Sequence, residues 1–367
     1  MTFLAQFNNA IEKEKKMHKN ILSALVLGVG VLLAGCDNDK QCPESTINPE
    51  IQQIFSERLS AAADKYQTKS VVGIIMETKT GNIIAQVNPD AALDLYEFGS
   101  VFKVFNTALA IENGLEDKEY TVNEPYSIYD KSGNPLVKII DVASFKPATP
   151  TMSVSDILKH SCNVGSAQIA LDLPKEAQQT MFEKLRFNDR LVLDFGTTRQ
   201  PRLPDKWNEV NRAQLSFGSG AFVSPVHMIA AVNAMVNDGV YVYPATNKCT
   251  KAPKSERIIN KSTSEKLRNI MYQIVEETSG RKAKIDSVKI GGKTGTAQKY
   301  SSEKSDDSRV LTSFVSFFPV DDSQYTMLIV FDEPSTTDVS FELKTAAWNV
   351  VPVGGEILKE IVPILIK

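Results

Sequence analysis

The sequence predicts an α+β chain, with strands near the two ends of its folded part and helices between them. Three observations carry this reading. Val71–Met76 is a strand-forming apolar run, and Lys79-Thr80-Gly81-Asn82 turns the chain back into Ile83–Val87, making an edge hairpin. Helical patterns follow Ser100, Ser153, Asn163 and Ser224, the last reaching Val236. Ser287–Ile290, Leu311–Phe318 and Tyr325–Phe331 then read as three adjacent antiparallel strands.

Each element has its own signal. Ile51, Ile54, Leu59 and Ala62 mark a helix over residues 50–65. After Ser100, the residues Val101, Phe102, Val104, Phe105, Ala108 and Leu109 are apolar on nearly every side. That is the pattern of a helix buried in a domain core, and it stops near Asn113-Gly114. Residues 115–150 alternate short strands and turns around Pro125, Pro135, Pro147 and Pro150. Ser153 is placed to cap a helix opening at Ser153–Leu158, with Asp156 three residues on, and Asn163–Leu171 continues as another helix. Gly218-Ser219-Gly220 is a turn, and Ser224-Pro225 starts a long apolar helix that reaches Val236. A last helix spans about Thr345–Val362. Pro352 and Gly354-Gly355 interrupt its pattern, so its regular turns are expected early.

The 367 residues are 42% apolar and 23% charged, with a net charge of −3, which is the profile of an ordinary globular protein. No basic arm or aromatic-basic stripe is present, so no nucleic-acid partner is expected. The lysines at 13, 15, 16 and 19 precede an apolar run, Ile21–Gly35, closed by Leu33-Ala34-Gly35-Cys36. Basic, apolar and small-residue regions in that order make a secretory signal. The alternative is a transmembrane anchor, but the run is short of the roughly 20 apolar residues a span needs. A cysteine directly after Leu-Ala-Gly resembles the lipobox of bacterial lipoproteins. That makes Cys36 the expected lipidation site and Met17 the natural start of the signal peptide. The expected layout is a signal segment over 1–36, a polar tether over 37–49 and one domain over 50–367. Once Cys36 is set aside, Cys42, Cys162 and Cys249 remain, an odd number, and a Cys42–Cys249 pairing stays open. No Cys/His spacing suits zinc, so no metal is expected.

Three short motifs carry the chemistry. In Ser100-Val-Phe-Lys103 the hydroxyl and the amine share one helix face at i and i+3. A serine hydroxyl needs a base to take its proton, and lysine serves only when burial lowers its pKa. The apolar wall of Phe98, Phe102 and Phe105 is the expected source of that burial. In Ser161-Cys-Asn163, the second hydroxyl can relay a proton towards a leaving amine, and the amide can hold Lys103 and a substrate backbone. In Lys293-Thr-Gly295-Thr296, the glycine lets a substrate backbone approach a strand edge. Lys293 and Thr294 can bind a carboxylate, and the N–H of Thr296 with that of Ser100 can form an oxyanion hole. Together the three are the pattern of enzymes that build an acyl-enzyme on serine without histidine.

Rival readings are weaker. Gly-Lys-Thr ends a phosphate-binding loop, but that motif needs glycine at 287, where Ser287 stands. A Ser-His-Asp hydrolase needs a Gly-x-Ser-x-Gly elbow, which Ser100 lacks, and His160 and His227 have no evident triad partners. Ser161 and Asn163 also suit an ordinary helix cap, which does not exclude catalysis.

The chain resembles the class B penicillin-binding proteins over roughly residues 66–367. The resemblance rests on the three motifs and on Tyr96–Lys103, His160–Gly165, Ser216–Pro225, Gly280–Ala283, Gly291–Gln298, Ser313–Val315, Asp332–Pro334 and Thr345–Trp348, in that order. It implies the penicillin-binding/serine β-lactamase-like fold: a five-stranded antiparallel sheet flanked by helices, plus an all-helical lobe, with the active site between them. The implied activity is peptidoglycan D,D-transpeptidation. Ser100 would be acylated by the D-Ala-D-Ala end of a stem peptide, with Lys103, Ser161 and Asn163 as catalytic partners. Lys293, Thr294, Gly295 and Thr296 would bind substrate. β-Lactam antibiotics would acylate the same serine, and no cofactor is implied. The implied place is the periplasmic face of the cell envelope, anchored by lipid to the membrane, with Asp37 favouring the inner one, among division or cell-wall synthase partners.

The sequence departs from the family at several points. Only a short tether stands where the family carries a pedestal module, so partner contacts made through that module are in question. Phe98 stands where proline or methionine is usual, Val101 where threonine is, and Cys162 where serine is. The competing functions are a serine β-lactamase, for which no water-activating glutamate is recognisable, and a non-catalytic penicillin-binding scaffold.

Overall fold

A computed structural model describes residues 44–142, 147–249, 255–300, 305–337 and 343–366. The expectations for the signal segment, Cys36 and Cys42 lie outside the described residues. Helix α1 (Pro49–Tyr66) starts where Asn48 Oδ1 accepts the N–H groups of Glu50 and Ile51, with Pro49 in the first turn. Proline costs nothing there, because its missing N–H would have no helical partner.

Strands β1 (Ser70–Glu77), β2 (Ile83–Val87), β3 (Gly291–Tyr300), β4 (Ser305–Phe318) and β5 (Tyr325–Asp332) form one antiparallel sheet in the order β3–β4–β5–β1–β2. The two ends of the chain therefore meet at its centre, where Ser70 pairs with Asp332 and Glu77 with Tyr325. Side chains alternate between two cores, as the period of a strand requires. Met327, Ile329 and Phe331 point towards α1 and the C-terminal helix, while Leu328 and Val330 point towards the other helices.

Those helices are α2 (Lys103–Glu112), α3 (Val154–His160), α4 (Asn163–Asp172), α5 (Ala177–Lys184), α6 (Glu209–Leu215), α7 (Pro225–Val236) and α8 (Lys261–Glu277). All twelve residues of α7 are buried, as its apolar sequence predicts. Ser153 caps α3 through the N–H of Asp156, while the Asp156 carboxylate takes the Ser153 hydroxyl.

Two expectations need correction. Ser287–Ile290 is not a strand; the strand begins at Gly291 and contains the Lys-Thr-Gly motif itself. Ladder pairing to β4 starts where Gly291 meets Phe317, since a Cβ at Gly291 would lie 2.2 Å from that ring. The C-terminal helix begins later than expected and carries Pro363 near its end. A 3₁₀ turn at Ala346–Trp348 precedes α9 (Val350–Leu365), which runs through Pro352 and both glycines. Pro352 falls in the first turn, where it is tolerated. A Cβ on Gly355 would lie 2.4 Å from the carbonyl oxygen of Lys282, so glycine here permits close packing and does not end the helix.

From Glu44 onward, the segment read as a tether is joined to the domain. Thr46 N–H donates to Thr246 O at 2.9 Å, and Asn48 N–H to Ile84 O at 2.8 Å. Cys249 is disulfide-bonded, and Cys162 is free and buried. Among the described residues no helix is long and apolar enough to cross a membrane.

Candidate active site

Ser100 lies in a 3₁₀ turn, Gly99–Phe102, that feeds directly into α2. The turn depends on glycine. Gly99 has φ +53°, and a Cβ there would stand 2.6 Å from the carbonyl oxygen of Thr296 on β3. Such backbone is open to glycine at little cost. Behind the turn, Phe102, Phe105, Phe182 and Phe187 meet tilted or edge to face at centroid distances from 5.4 to 6.4 Å. This cluster fixes α2 and with it the direction of Lys103.

Lys103 is 1% exposed. Its Nζ donates to Ser100 Oγ at 2.7 Å and to Asn163 Oδ1 at 2.6 Å. The ring beside the amine, with its centroid 5.7 Å away, belongs to Phe217, so this face of the cavity comes from a residue outside the expected Phe98–Phe102–Phe105 wall. Burial pushes the Lys103 amine down to about 7, against the pull of Asp141. An amine in that range is partly neutral at physiological pH and can accept the proton of the hydroxyl beside it.

Ser161 and Cys162 connect α3 to α4. Ser161 closes α3 in the left-handed conformation, φ +61°, and its Oγ accepts from Lys293 Nζ at 3.0 Å. Cys162 caps α4, its sulfur accepting the N–H of Gly165 at 3.2 Å while its thiol donates to Asp141 Oδ2 at 3.1 Å. Asn163 N–H donates to Asp141 Oδ1, and its Nδ2 donates to Ile140 O at 3.1 Å.

Lys293 is fully buried on β3, where its Nζ also donates to Thr294 O at 2.8 Å. Burial, with Lys103 nearby, drives its pKa well below the ordinary lysine range. Gly295 lets β3 lie against the Ser100 turn, since a Cβ there would be 2.4 Å from Phe98 O and 2.9 Å from Val101 Cγ2. The hydroxyls of the two threonines are otherwise engaged. Thr294 Oγ1 meets Ser279 Oγ at 2.9 Å, and Thr296 Oγ1 accepts the Ala346 N–H at 3.2 Å. The three motifs thus come together around two buried amines. Ser100, Lys103 and Asn163 form one hydrogen-bonded set, Ser161 and Lys293 a second, and Gly295 brings β3 onto the Ser100 turn.

The model of the penicillin binding protein transpeptidase domain matches residues 71–350. The chain belongs to that family. Among curated relatives of this penicillin-binding transpeptidase domain is the probable peptidoglycan D,D-transpeptidase FtsI of Caulobacter vibrioides, 27% identical over 87% of this chain and 58% of the relative. Stage V sporulation protein D of Bacillus subtilis is 27% identical over 87% of this chain and 53% of its own length. The chain thus spans a little over half the length of these relatives. Among solved structures, the apo transpeptidase domain of Burkholderia pseudomallei penicillin-binding protein 3 superimposes with a TM-score of 0.78 at 23% identity, covering 88% of this chain and 97% of that one. Penicillin-binding protein 3 of Mycobacterium tuberculosis gives 0.76 at 21% identity, covering 88% of this chain and 79% of that one. The fold is the expected one: an antiparallel five-stranded sheet with helices on both faces.

Sequence reasoning missed three contributors. Asp141 gave no signal, being one acid beyond a short strand. Phe217 stood inside a turn segment, Ser216–Pro225, noticed for its glycines. Ser279 precedes Gly280–Ala283, a stretch that carries the family resemblance and implies no role for its neighbour. His227, the histidine of the rejected triad, is a buried core residue. Its Nδ1 meets Ser224 Oγ at 2.7 Å and its Nε2 meets the backbone carbonyl of Asp189 at 3.0 Å. Burial lowers its pKa to about 4, so it stays neutral.

Proposed function

We propose that this domain is a peptidoglycan D,D-transpeptidase that works through an acyl-enzyme on Ser100. The observation that carries this is the single buried amine of Lys103 on both Ser100 Oγ and Asn163 Oδ1. In this reading the neutral Lys103 takes the Ser100 proton as Oγ attacks the carbonyl between the last two residues of a D-Ala-D-Ala stem. The tetrahedral oxyanion is held by the backbone N–H groups of Ser100 and Thr296. Ser161, polarised by Lys293, relays a proton to the departing D-alanine amine: it gives up its own and regains the one Lys103 had taken, which leaves Lys103 neutral again. The amine of a neighbouring stem then attacks the ester and releases Ser100, and the new amide is the cross-link. Water in place of that amine gives D,D-carboxypeptidase activity. A β-lactam presents the equivalent carbonyl in a strained four-membered ring and acylates the same oxygen.

The relatives named as probable peptidoglycan D,D-transpeptidases of the FtsI and PenA type support this reading. Lys293, Thr294, Gly295 and Thr296 are the proposed substrate-binding edge. A lipid on Cys36, a short tether ahead of a single domain, attachment to the inner membrane and work beside division or cell-wall synthases complete the proposal. Their support is the signal anatomy of residues 13–36 and the family. The test is mass spectrometry of the chain after treatment with a fluorescent penicillin. One adduct is expected on Ser100 in the wild type and none in Ser100→Ala; an adduct persisting in the variant would refute the assignment.

A further inference from the structure

Asp141 lies just beyond the hairpin formed by Tyr126–Tyr129 and Pro135–Ile139. Its Oδ1 accepts the N–H of Asn163, and its Oδ2 accepts the Cys162 thiol at 3.1 Å. The adjoining carbonyl of Ile140 takes Asn163 Nδ2–H at 3.1 Å. Two neighbouring residues thus grip one turn at three points. Because Nδ2 is held by Ile140, the oxygen is the end of the Asn163 amide that turns to Lys103, which donates to it at 2.6 Å.

We propose that Asp141 is a positioning residue for acyl transfer whose carboxylate does two things: it holds the Cys162–Asn163 turn so that the Asn163 amide oxygen stays on Lys103, and it sets a negative charge close to that amine. This rests on the reading of Lys103 as the base. The carboxylate does more than a neutral clamp would, because it is the anion facing the amine. The other titratable groups there are Cys162 and Lys293. Burial pushes the Cys162 thiol up to about 12, so it is uncharged, and buried Lys293 opposes a second positive charge. Asp141 is therefore what counteracts burial at Lys103 and keeps its proton affinity near neutrality.

Asp141→Asn retains an oxygen for the Asn163 N–H and removes the charge. Lys103 can be followed in the full chain labelled with ε-¹³C lysine, its resonance assigned by loss in Lys103→Arg. We expect its titration midpoint to fall by about one pH unit in Asp141→Asn, and to return towards the wild-type value in Asp141→Glu. An unchanged midpoint in Asp141→Asn overturns the proposal, including the case in which thermal stability alone falls, since a purely structural clamp would do that. The acid limb of penicillin acylation should move with the midpoint. If the wild type is never acylated on Ser100, the functional reading fails, while the resonance still decides the role of Asp141.

Discussion

Lys293 Nζ donates to Ser161 Oγ at 3.0 Å, across 132 residues of sequence. The bond ties the sheet to the helical lobe at the point where the three motifs meet, and it presents the second hydroxyl with a polarising amine. Lys293→Ala should therefore separate the two halves of the reaction. We expect the chain to stay folded and acylation by penicillin to drop about a hundredfold, in the range typical of proton-transfer groups. Stopped-flow fluorescence with a fluorescent penicillin measures this, with circular dichroism as the control for folding.

Lys103→Arg removes the base while keeping a cation, because guanidinium does not deprotonate in proteins. The acylation rate should fall by about two to four orders of magnitude. A variant within threefold of wild type would show that another group takes the Ser100 proton.

Two pH effects follow from the lowered Lys103. Acylation should rise with pH through about 7, as the amine loses its proton. Stability should also rise with pH. Between about 7 and the ordinary lysine value of 10.5 the unfolded chain binds a proton that the folded one does not, so the penalty of burying the amine fades as pH climbs. Below about 7 both states are protonated and this slope ends. Melting temperatures from pH 7.5 to 10 should climb less steeply in Lys103→Met than in wild type; equal slopes would contradict the lowered pKa.

Gly295→Ala should damage site and fold together. Its Cβ would stand 2.4 Å from Phe98 O and 2.5 Å from Ser313 Oγ, so β3 must move off the Ser100 turn. A loss of about 1–3 kcal/mol in urea unfolding is expected, along with slower acylation. Gly355→Ala clashes with Lys282 O on the far side of the sheet. It should cost similar stability, with acylation per folded molecule unchanged.

Cys162→Ser should be close to neutral in urea unfolding, since a hydroxyl caps α4 at least as well as the thiol. Cys162→Ala should cost about 1 kcal/mol, the usual loss of an N-cap. An alanine variant as stable as the wild type would mean that the sulfur's contact with the Gly165 N–H contributes nothing.

Much of the fold was legible because its signals are local. Caps at Ser153 and Ser224, the β2 return strand and the all-apolar α7 depend on residues within a turn or two of each other. The misread elements fail for a non-local reason. Gly354 and Gly355 look like breakers until Phe314 and Lys282 are seen against them, and Gly291 looks like a loop until Phe317 fills its Cβ position.

The sequence by itself determined the family and the groups proposed to react: a serine with a lysine three residues on, a Ser-x-Asn and a Lys-Thr-Gly, in a spacing that marks the family. Only the tertiary structure decided how those groups are tuned. Burial that lowers the proton affinity of Lys103, the Phe217 ring beside it, the Asp141 grip on Asn163 and the reach of Lys293 to Ser161 all come from distant segments packed together. Proton affinity depends on solvent exclusion and nearby charge, and neither exists until the chain has closed around the site.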